Sequence, residues 1–424
     1  MTFEASGREA VARITRRAAQ RLRTGHHWVY RSDVERLTAD TGEQVAGGAL
    51  VCVLDGRGEP LGTALYSDAS EIALRVVSRQ AGLSRAEYLD EVRNRVRAAI
   101  RLRKRVTAEA FSGTVAGAAA GETDACRLVF SEADDLPGIV ADRYGELVVV
   151  QLLMQGTAQD DVRAVLAEVL AEQDWVRTVV ERPDARVREL EHLGPAPEKP
   201  LYVREGCQAA LRTVFTINGV RFHFDAGAGQ KTGAFLDQRL NYAAAAKWAR
   251  GCALDVCTYQ GGFALHLARV CERVTGVDAS RSALEVADRN LALNPGLTAR
   301  VDWIEADAFD LLRDYSETGE RFGTIVLDPP AFAKTKRAAE GAMRGYKELN
   351  LRAIRMLAKG GTLVSCSCSH HVGLEEFTEV VRAAAADAGR RVQMLEMRGA
   401  APDHPAILTL PETSYLKCLI CRVG

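Results

Sequence analysis

The chain is expected to fold as an α/β protein, with a parallel, doubly wound sheet in its C-terminal half preceded by a small β-rich module and a mixed α+β segment. Three observations predict this. From about residue 236, short apolar strands alternate with amphipathic helical stretches, the pattern of strands joined by crossover helices. The first eighty or so residues carry short alternating runs punctuated by Gly and Asp. The stretch between these two regions opens on a long, arginine-rich helical pattern. At 424 residues and 47% hydrophobic content, with about 150 residues per domain, the chain has room for two or three packed cores.

In the first segment, residues 1–80, the stretches EQVAGGALVCVLDG, GEPLGTALYSD and EIALRVVS read as strands separated by turn residues. RLRTGHHWVYRSDV precedes them, with Trp28 and Tyr30 among Arg21, Arg23, His26, His27 and Arg31. Rings stack on bases and guanidinium groups take phosphates, so RNA contact through Trp28 and Arg31 is one expectation. Aromatic side chains filling a core at strand spacing are the other. The middle segment, residues 81–215, begins with a helical pattern in which Arg93, Arg97, Arg101 and Arg105 share one flank beside an apolar stripe of Leu89, Val92, Val96 and Ala99. That flank is either a solvated face or a phosphate-contacting surface. The Ala/Gly-rich TAEAFSGTVAGAAAGETD is expected to be a surface insertion. CRLVFSEADDLPGIVADRYGELVVVQLL follows as strand, turn and strand, then the helical DDVRAVLAEVLAEQ and the extended WVRTVVER. GPAPEKP is loop, and TVFTINGVRFHFDAG is a hairpin leading out.

The third segment, residues 216–424, carries the doubly wound pattern. CALDVC is a strand, GFALHLARV a helix, RVTGVDAS a strand, SALEVADRNLALN a helix, and VDWIEADAFDLL a strand and turn. RFGTIVLDPP is the fourth strand, a helix ends near Ala358, and GGTLVSCSCS is the fifth. Ligands of such sheets bind outside the carboxyl ends of the strands. Composition removes other classes. The ten cysteines are scattered, several inside apolar runs, and MTFEASGREAVARITRR has no hydrophobic leader, which points to free thiols in a reducing cytoplasm. No apolar run approaches the roughly 20 residues that span a bilayer. A net charge of −1 says little about nucleic acid, for which the placement of charge matters, and from Arg8 to Arg36 arginine outnumbers acid.

LDVCTYQGGFALHLA places Asp255 at the end of the first strand and Gly261 and Gly262 in the turn before a helix, where glycine lets the backbone approach a ligand. The pattern is not GxGxxG, which weakens a dinucleotide reading. Asp278 ends the second strand, suited to ribose hydroxyls, and Asp307 ends the third, suited to an adenine amino group. Three acids at successive strand ends with no phosphate-binding cation fit a nucleoside without phosphates, and S-adenosylmethionine is such a nucleoside.

TIVLDPPAFAK at the fourth strand and LVSCSCS at the fifth, with KTGAFLDQR and LDVCTYQGGF upstream and RGYKELN and APDHPAILTLPETSYLK downstream, resemble the bacterial large-subunit (23S) ribosomal RNA cytosine-5 methyltransferases of the RlmI type. The resemblance covers nearly the whole chain. It implies a PUA-like RNA-binding domain at the N-terminus, a central α+β domain of the EEHEE kind and a Rossmann-like class I methyltransferase domain. It also implies S-adenosylmethionine as cofactor, ribosomal RNA or a large-subunit precursor as partner, and a possible homodimer. Two departures stand out: the insertion around residues 108–121, and Cys366 beside the cysteine that matches the family's nucleophile, Cys368. Catalysis is assigned to Cys368 and Asp328. Cofactor contacts are assigned to Gln238, Arg239, Asp255, Cys257, Tyr259, Gly261, Gly262, Phe263, Asp278, Ala279, Ser280, Asp307, Ala308, Asp328 and Pro329. RNA contacts are assigned to Pro330, Phe332, Lys334, Trp28 and Arg31. By the same resemblance, the segment holding Lys231, Phe235 and Asp237 closes over the methionine end of the cofactor.

These residue types suit the chemistry. Carbon 5 of cytosine is a poor nucleophile, and addition of a thiolate to carbon 6 makes it electron-rich. Asp328 can hydrogen-bond the base edge near N3, Pro329 and Pro330 stiffen its loop, and Phe332 can stack on a base taken out of its helix. DPP followed by an aromatic also serves N-methylation of an exocyclic amine without a cysteine, so guanine N-methylation in ribosomal RNA is an alternative, and a nonenzymatic RNA-binding module is another. LVSCSCSHHV is not expected to bind zinc, because structural sites bring separated ligand pairs together across a turn, whereas a strand aligns Cys366, Cys368 and His370 and turns His371 away. Cys418 and Cys421 form a CxxC whose odd spacing on a strand points them to opposite faces, so they are read as structural. His404 is given no role.

Overall fold

The structure is a computed structural model and describes residues 10–39, 42–112, 123–227, 233–332 and 336–424. The Ala/Gly-rich insertion from residue 113, Lys231 and Lys334 lie outside them. Among the described residues four sheets form. The first contains strands β1 (Ala10–Ile14), β2 (Trp28–Val29), β3 (Val34–Ala39), β4 (Leu50–Leu54), β5 (Pro60–Tyr66) and β6 (Leu74–Ser78) in the order β2-β6-β5-β4-β1-β3. Helix α1 (Arg16–Arg23), absent from the sequence expectation, starts where the Thr15 side chain accepts from the Ala18 N–H at 3.2 Å, satisfying one orphan donor of its first turn. It buries Ala18 and Ala19.

The second sheet, β7 (Ala125–Phe130), β8 (Ile139–Tyr144), β9 (Leu147–Leu152), β10 (Thr178–Glu181) and β11 (Tyr202–Val203), runs β11-β10-β9-β8-β7. Two helices pack with it, α2 (Arg85–Ser112) and α3 (Asp160–Ala171), and a short helix, α4 (Ala185–Leu190), follows β10. The stretch read as strand, turn and strand is three strands, because YG supplies a second tight turn: β8 and β9 pair antiparallel from Tyr144 to Leu147. Several arginines of α2 are engaged within the protein. Arg93 pairs with Glu168 of α3 at 3.0 Å and Arg97 with Glu172, just past its end, at 2.5 Å, and Arg95 reaches the carbonyl oxygens of Val77 and Asp135. Arg103, 1% exposed, bonds both carboxylate oxygens of Asp134. Within the flank, Arg93 and Arg97 thus serve ion pairing inside the protein, while Arg101 and Arg105 are exposed.

The hairpin β12 (Arg212–Ile217) and β13 (Val220–Asp225) stands between the second sheet and the third segment: Phe224 stacks on Tyr144 with ring centroids 4.0 Å apart, and Phe222 lies against His266. The large sheet follows, with β14 (Cys252–Val256), β15 (Arg273–Asp278), β16 (Arg300–Glu305), β17 (Phe322–Leu327), β18 (Leu357–Ser367), β19 (Val392–Arg398) and β20 (Lys417–Val423) in the order β16-β15-β14-β17-β18-β20-β19. The first five in space are parallel, and β20 and β19 are antiparallel additions. Helices α5 (Arg239–Trp248), α6 (Gly262–Leu267), α7 (Arg281–Ala292), α8 (Ala308–Thr318), α9 (Ala339–Met356) and α10 (Leu374–Asp387) cover its two faces over separate cores. AFDLL, expected as a turn, opens α8 because Asp307 caps it, accepting from the N–H groups of Phe309 and Asp310. Cys418 and Cys421 are buried in opposite cores, as their odd spacing requires. No helix among the described residues is long and apolar enough to cross a membrane.

The β14–α6 turn shows why glycines are needed there. A Cβ on Gly262 would sit 2.6 Å from the Tyr242 ring, so that glycine makes room for the packing of α5 against α6 rather than for a ligand. Gly261, at φ 86°, takes the left-handed conformation that starts the helix. Asp255, 0% exposed, ties the turn from below: its Oδ2 accepts from Thr258 Oγ1 at 2.5 Å and from the Ala264 N–H at 2.9 Å.

Two outcomes are expected. Asp134→Ala would strand the Arg103 guanidinium in the interior and cost about 3–5 kcal/mol, measured by chemical denaturation. Burial pushes the Asp255 carboxyl up to about 7, against the pull of Thr258 and Ala264. Its folded-state value is thus raised above the unfolded one, so its stability contribution is complete below about pH 4 and is lost as pH rises through 7. Asp255→Asn keeps the acceptor without the charge, and the stability of the variant relative to the parent should rise between pH 4 and 8 by an amount on the order of a few kcal/mol; a constant difference would contradict this.

Candidate active site

The carboxyl ends of β14, β15, β16, β17 and β18 open into one cavity of about 1340 Å3, closed on the far side by the hairpin β12–β13 and by the turn before α5. Of the residues assigned from sequence, Gln238, Cys257, Tyr259, Asp278, Ala279, Ser280, Asp307, Ala308, Asp328, Pro329, Pro330, Phe332 and Cys368 line it. Phe235 and Asp237 are on its wall as well. The topology accounts for this convergence, since parallel strands deliver their following turns to a single edge.

Asp278 is held by two backbone donors, Tyr259 N–H to Oδ2 and Ser280 N–H to Oδ1, each at 2.9 Å. Those contacts fix its carboxylate while leaving lone pairs for the cavity. The turn that supplies Tyr259 is strained: Cys257 at φ 65° and Tyr259 at φ 51° both sit in the left-handed region, which costs a non-glycine residue about 1–3 kcal/mol. Asp328 is oriented by a relay in which Asn241 Nδ2 donates to Gln238 Oε1 at 2.7 Å and Gln238 Nε2 donates to Asp328 Oδ1 at 3.0 Å. Phe332 lies between Phe309 and Tyr346, with centroids 5.9 and 4.8 Å away. The donor set fits S-adenosylmethionine: acids at the ends of β15 and β16 accept from hydroxyl and amino groups, and no phosphate has to be accommodated.

The two cysteines of the fifth strand separate. Cys366 is wholly buried within β18, directly opposite Cys418 of β20. Burial, the facing Cys418 and the Asp328 charge all push its thiol well above the ordinary range, and it does not reach the cavity wall. Cys368 lies just past the last paired residue of β18, Ser367, and faces the cavity. The expectation that the strand aims Cys366, Cys368 and His370 alike is corrected, because the ladder ends before Cys368. The turn beyond is fixed by Tyr346, whose hydroxyl is 3.0 Å from Ser367 Oγ and 2.9 Å from Ser369 Oγ, and by Lys417, whose Nζ donates to Ser369 O at 2.7 Å.

Several assigned residues lie elsewhere. Arg239 is 0% exposed and pairs with Asp403 at 3.0 Å, beneath the cavity rather than on it. Asp255, Gly261, Gly262 and Phe263 build the β14–α6 turn but are not on the cavity wall. Trp28 donates its Nε1 to Glu132 at 2.8 Å under the Arg75 guanidinium, and Arg31 donates to the carbonyl oxygens of Ser67 and Ser70. Both side chains thereby tie parts of this protein together. The same domain does carry exposed cations: Arg13 and Arg36 are cross-strand partners, Arg16 and Arg17 open α1, and none has an ion-pair partner among the described residues. Like charges directly opposite on a strand pair are unfavourable without an anion. Sequence reasoning missed Asn241, Tyr346, Tyr415 and Lys417, which support the cavity residues from behind. His404 is buried, with its Nδ1 3.1 Å from Asp403.

A PUA-like domain model matches residues 12–79, and a model of S-adenosylmethionine-dependent methyltransferases matches residues 207–420. Ribosomal RNA large subunit methyltransferase I of Shewanella amazonensis is 37% identical over 416 residues, covering 94% of this chain and 95% of that protein. The protein of the same name from Klebsiella pneumoniae is 36% identical over 400 residues, with 94% of each covered. Among solved structures, a methyltransferase complexed with SAH superposes at a TM-score of 0.77 with 17% identity, covering 97% of this chain and 99% of that one. A SAM-dependent methyltransferase from Streptococcus mutans gives 0.76 with 16% identity over 97% and 99%, and these two establish the likeness of fold. With relatives more than a third identical along nearly their whole length and the methyltransferase model spanning half the chain, the protein belongs to the ribosomal RNA large subunit methyltransferase I family, S-adenosylmethionine-dependent methyltransferases that carry a PUA-like domain.

Proposed function

We propose that the protein methylates carbon 5 of a cytidine in large-subunit (23S) ribosomal RNA through a covalent bond between Cys368 and carbon 6. The observation that carries this reading is the presence of Cys368 and Asp328 on one cavity wall, with Asp328 fixed by Gln238. The names of the relatives support ribosomal RNA as the substrate. In this reading Gln238, Tyr259, Asp278, Ser280 and Asp307, all on the cavity wall, hold the cofactor. When bound, S-adenosylmethionine supplies an electrophilic methyl group.

The thiolate of Cys368 forms the S–C6 bond, and the displaced electron pair runs to C5 and toward N3. Asp328 in its acid form can donate to N3 and so favour that charge. Once C5 carries the methyl group, loss of its proton to a base restores the C5–C6 double bond, and the S–C6 bond breaks to return the thiolate. Phe332, held against Tyr346, offers a face for the extruded base. The exposed Arg13, Arg16, Arg17 and Arg36 offer phosphate contacts away from the cavity.

Cys368→Ser should bind S-adenosylmethionine as the parent does by calorimetry, yet lose at least about 10³-fold in transfer rate. Full activity would rule out the nucleophile. Bisulfite and mass-spectrometric mapping of ribosomal RNA from a strain lacking the protein should show one 5-methylcytosine missing, whereas loss of a methylguanine instead would favour N-methylation through the DPPAF motif. Charge removal at Arg13, Arg16, Arg17 and Arg36 together should weaken RNA binding and flatten its salt dependence by up to about four phosphate contacts; an unchanged slope would remove these residues from the interface.

A further inference from the structure

β20 enters the sheet antiparallel to β18, so its first residue, Lys417, arrives at the edge where the parallel strands end, opposite Ser367. Lys417 is 6% exposed, and its ammonium donates to two carbonyl oxygens, Ser369 O at 2.7 Å and Tyr415 O at 2.8 Å. No carboxylate lies within ion-pair distance of it among the described residues. A buried ammonium held only by carbonyl dipoles is an expensive arrangement, and packing alone would be served as well by an apolar side chain. One of those carbonyls belongs to the residue directly after Cys368, so the cation is fixed to the peptide that carries the thiol.

We infer that Lys417 is a positioning residue that stabilises the thiolate of Cys368, both by its charge and by anchoring the Ser369 carbonyl. This rests on the reading of Cys368 as the nucleophile. Burial pushes the Lys417 ammonium down to about 8, against the pull of Cys368 and Glu376, so it remains mostly charged at neutral pH. Other titratable groups on the elements packed here have partners of their own. Tyr415 donates to Asp237 at 2.6 Å, Tyr346 is engaged with Ser367 and Ser369, His370 lies against the Tyr415 ring, Asp328 is bonded to Gln238, and Glu376 caps α10. Lys417 is a cation held on the peptide that carries the thiol. A neighbouring ammonium lowers a thiol's titration point, whereas the carboxylates and phenols around it act in the opposite direction or are neutral.

The test is the rate at which iodoacetamide alkylates Cys368 in the full chain between pH 5.5 and 10, read by mass spectrometry of the peptide that contains it. The proton leaves to solvent, the S–C bond forms and iodide departs, so the rate follows the thiolate fraction. The parent should show a midpoint below the ordinary thiol value of about 8.5. Lys417→Met should raise that midpoint by about one pH unit or more, and Lys417→Arg should restore most of the difference. Coincident midpoints for the parent and Lys417→Met, at matched melting temperature and S-adenosylmethionine affinity, would overturn the inference. If Lys417→Met does not fold, a parent midpoint at or above the ordinary value overturns it equally, and Lys417→Gln, which keeps a donor to the carbonyls but no charge, replaces it. Full transfer by Cys368→Ser would sink the nucleophile reading whatever the midpoints. An unmoved midpoint beside an inactive Cys368→Ser would sink the role of Lys417 alone.

Discussion

Parallel pairing of β14, β15, β16, β17 and β18 requires every strand to end on the same edge of the sheet, and the chemistry of the protein hangs on that edge. Asp278, Asp307, Asp328 and Cys368 are dispersed over about ninety residues of sequence, and each lies at or just past the end of a different strand. None needs a long loop to reach the others. β20, inserted in the opposite sense, closes the arrangement by starting where the parallel strands finish, and so brings Tyr415 and Lys417 behind the turn that presents Cys368.

A second constraint is the buried Asp403 carboxylate. It takes the Arg239 guanidinium at 3.0 Å, the Arg127 N–H at 2.9 Å and the His404 ring at 3.1 Å, while its backbone carbonyl takes Arg103. Burial pushes this carboxyl up, but His404, Arg239 and Arg127 outweigh it and hold it down at about 2, so it stays ionised throughout the neutral range. The four partners come from α2, β7, α5 and the segment before β20. Buried pairs of this kind contribute modestly to stability when complete and cost several kcal/mol when broken. Their effect here is to fix the middle sheet and the terminal segment against the start of α5, whose Gln238 and Asn241 in turn orient Asp328.

The alternation of strand and helix after residue 236 made the doubly wound sheet legible, because buried parallel strands read as short apolar runs and their crossover helices as amphipathic ones. The acids at strand ends were legible for the same reason, since position along a strand decides which edge a residue reaches. What the sequence did not reveal has a common cause. Asp255 and Arg239 look like ligand contacts but are buried, and which side of a turn a carboxylate faces depends on packing such as Tyr242 against Gly262. Trp28 and the arginines of α2 look like an RNA surface, but their partners Glu132, Glu168 and Glu172 are distant in sequence and were not identifiable from local pattern. Lys417 carried no motif at all; only the antiparallel register of β20 brings it to the cysteine.

Covalent catalysis requires that Cys368 form a bond to the base during turnover. It is tested most directly by offering the protein and S-adenosylmethionine an RNA substrate in which the target cytidine carries fluorine at carbon 5. With no proton to lose from that carbon after methylation, the S–C6 bond cannot be released. The expected product is a protein–RNA adduct that survives denaturation, depends on S-adenosylmethionine and maps to Cys368. Absence of any adduct, from an RNA whose unmodified form is methylated normally, would contradict it.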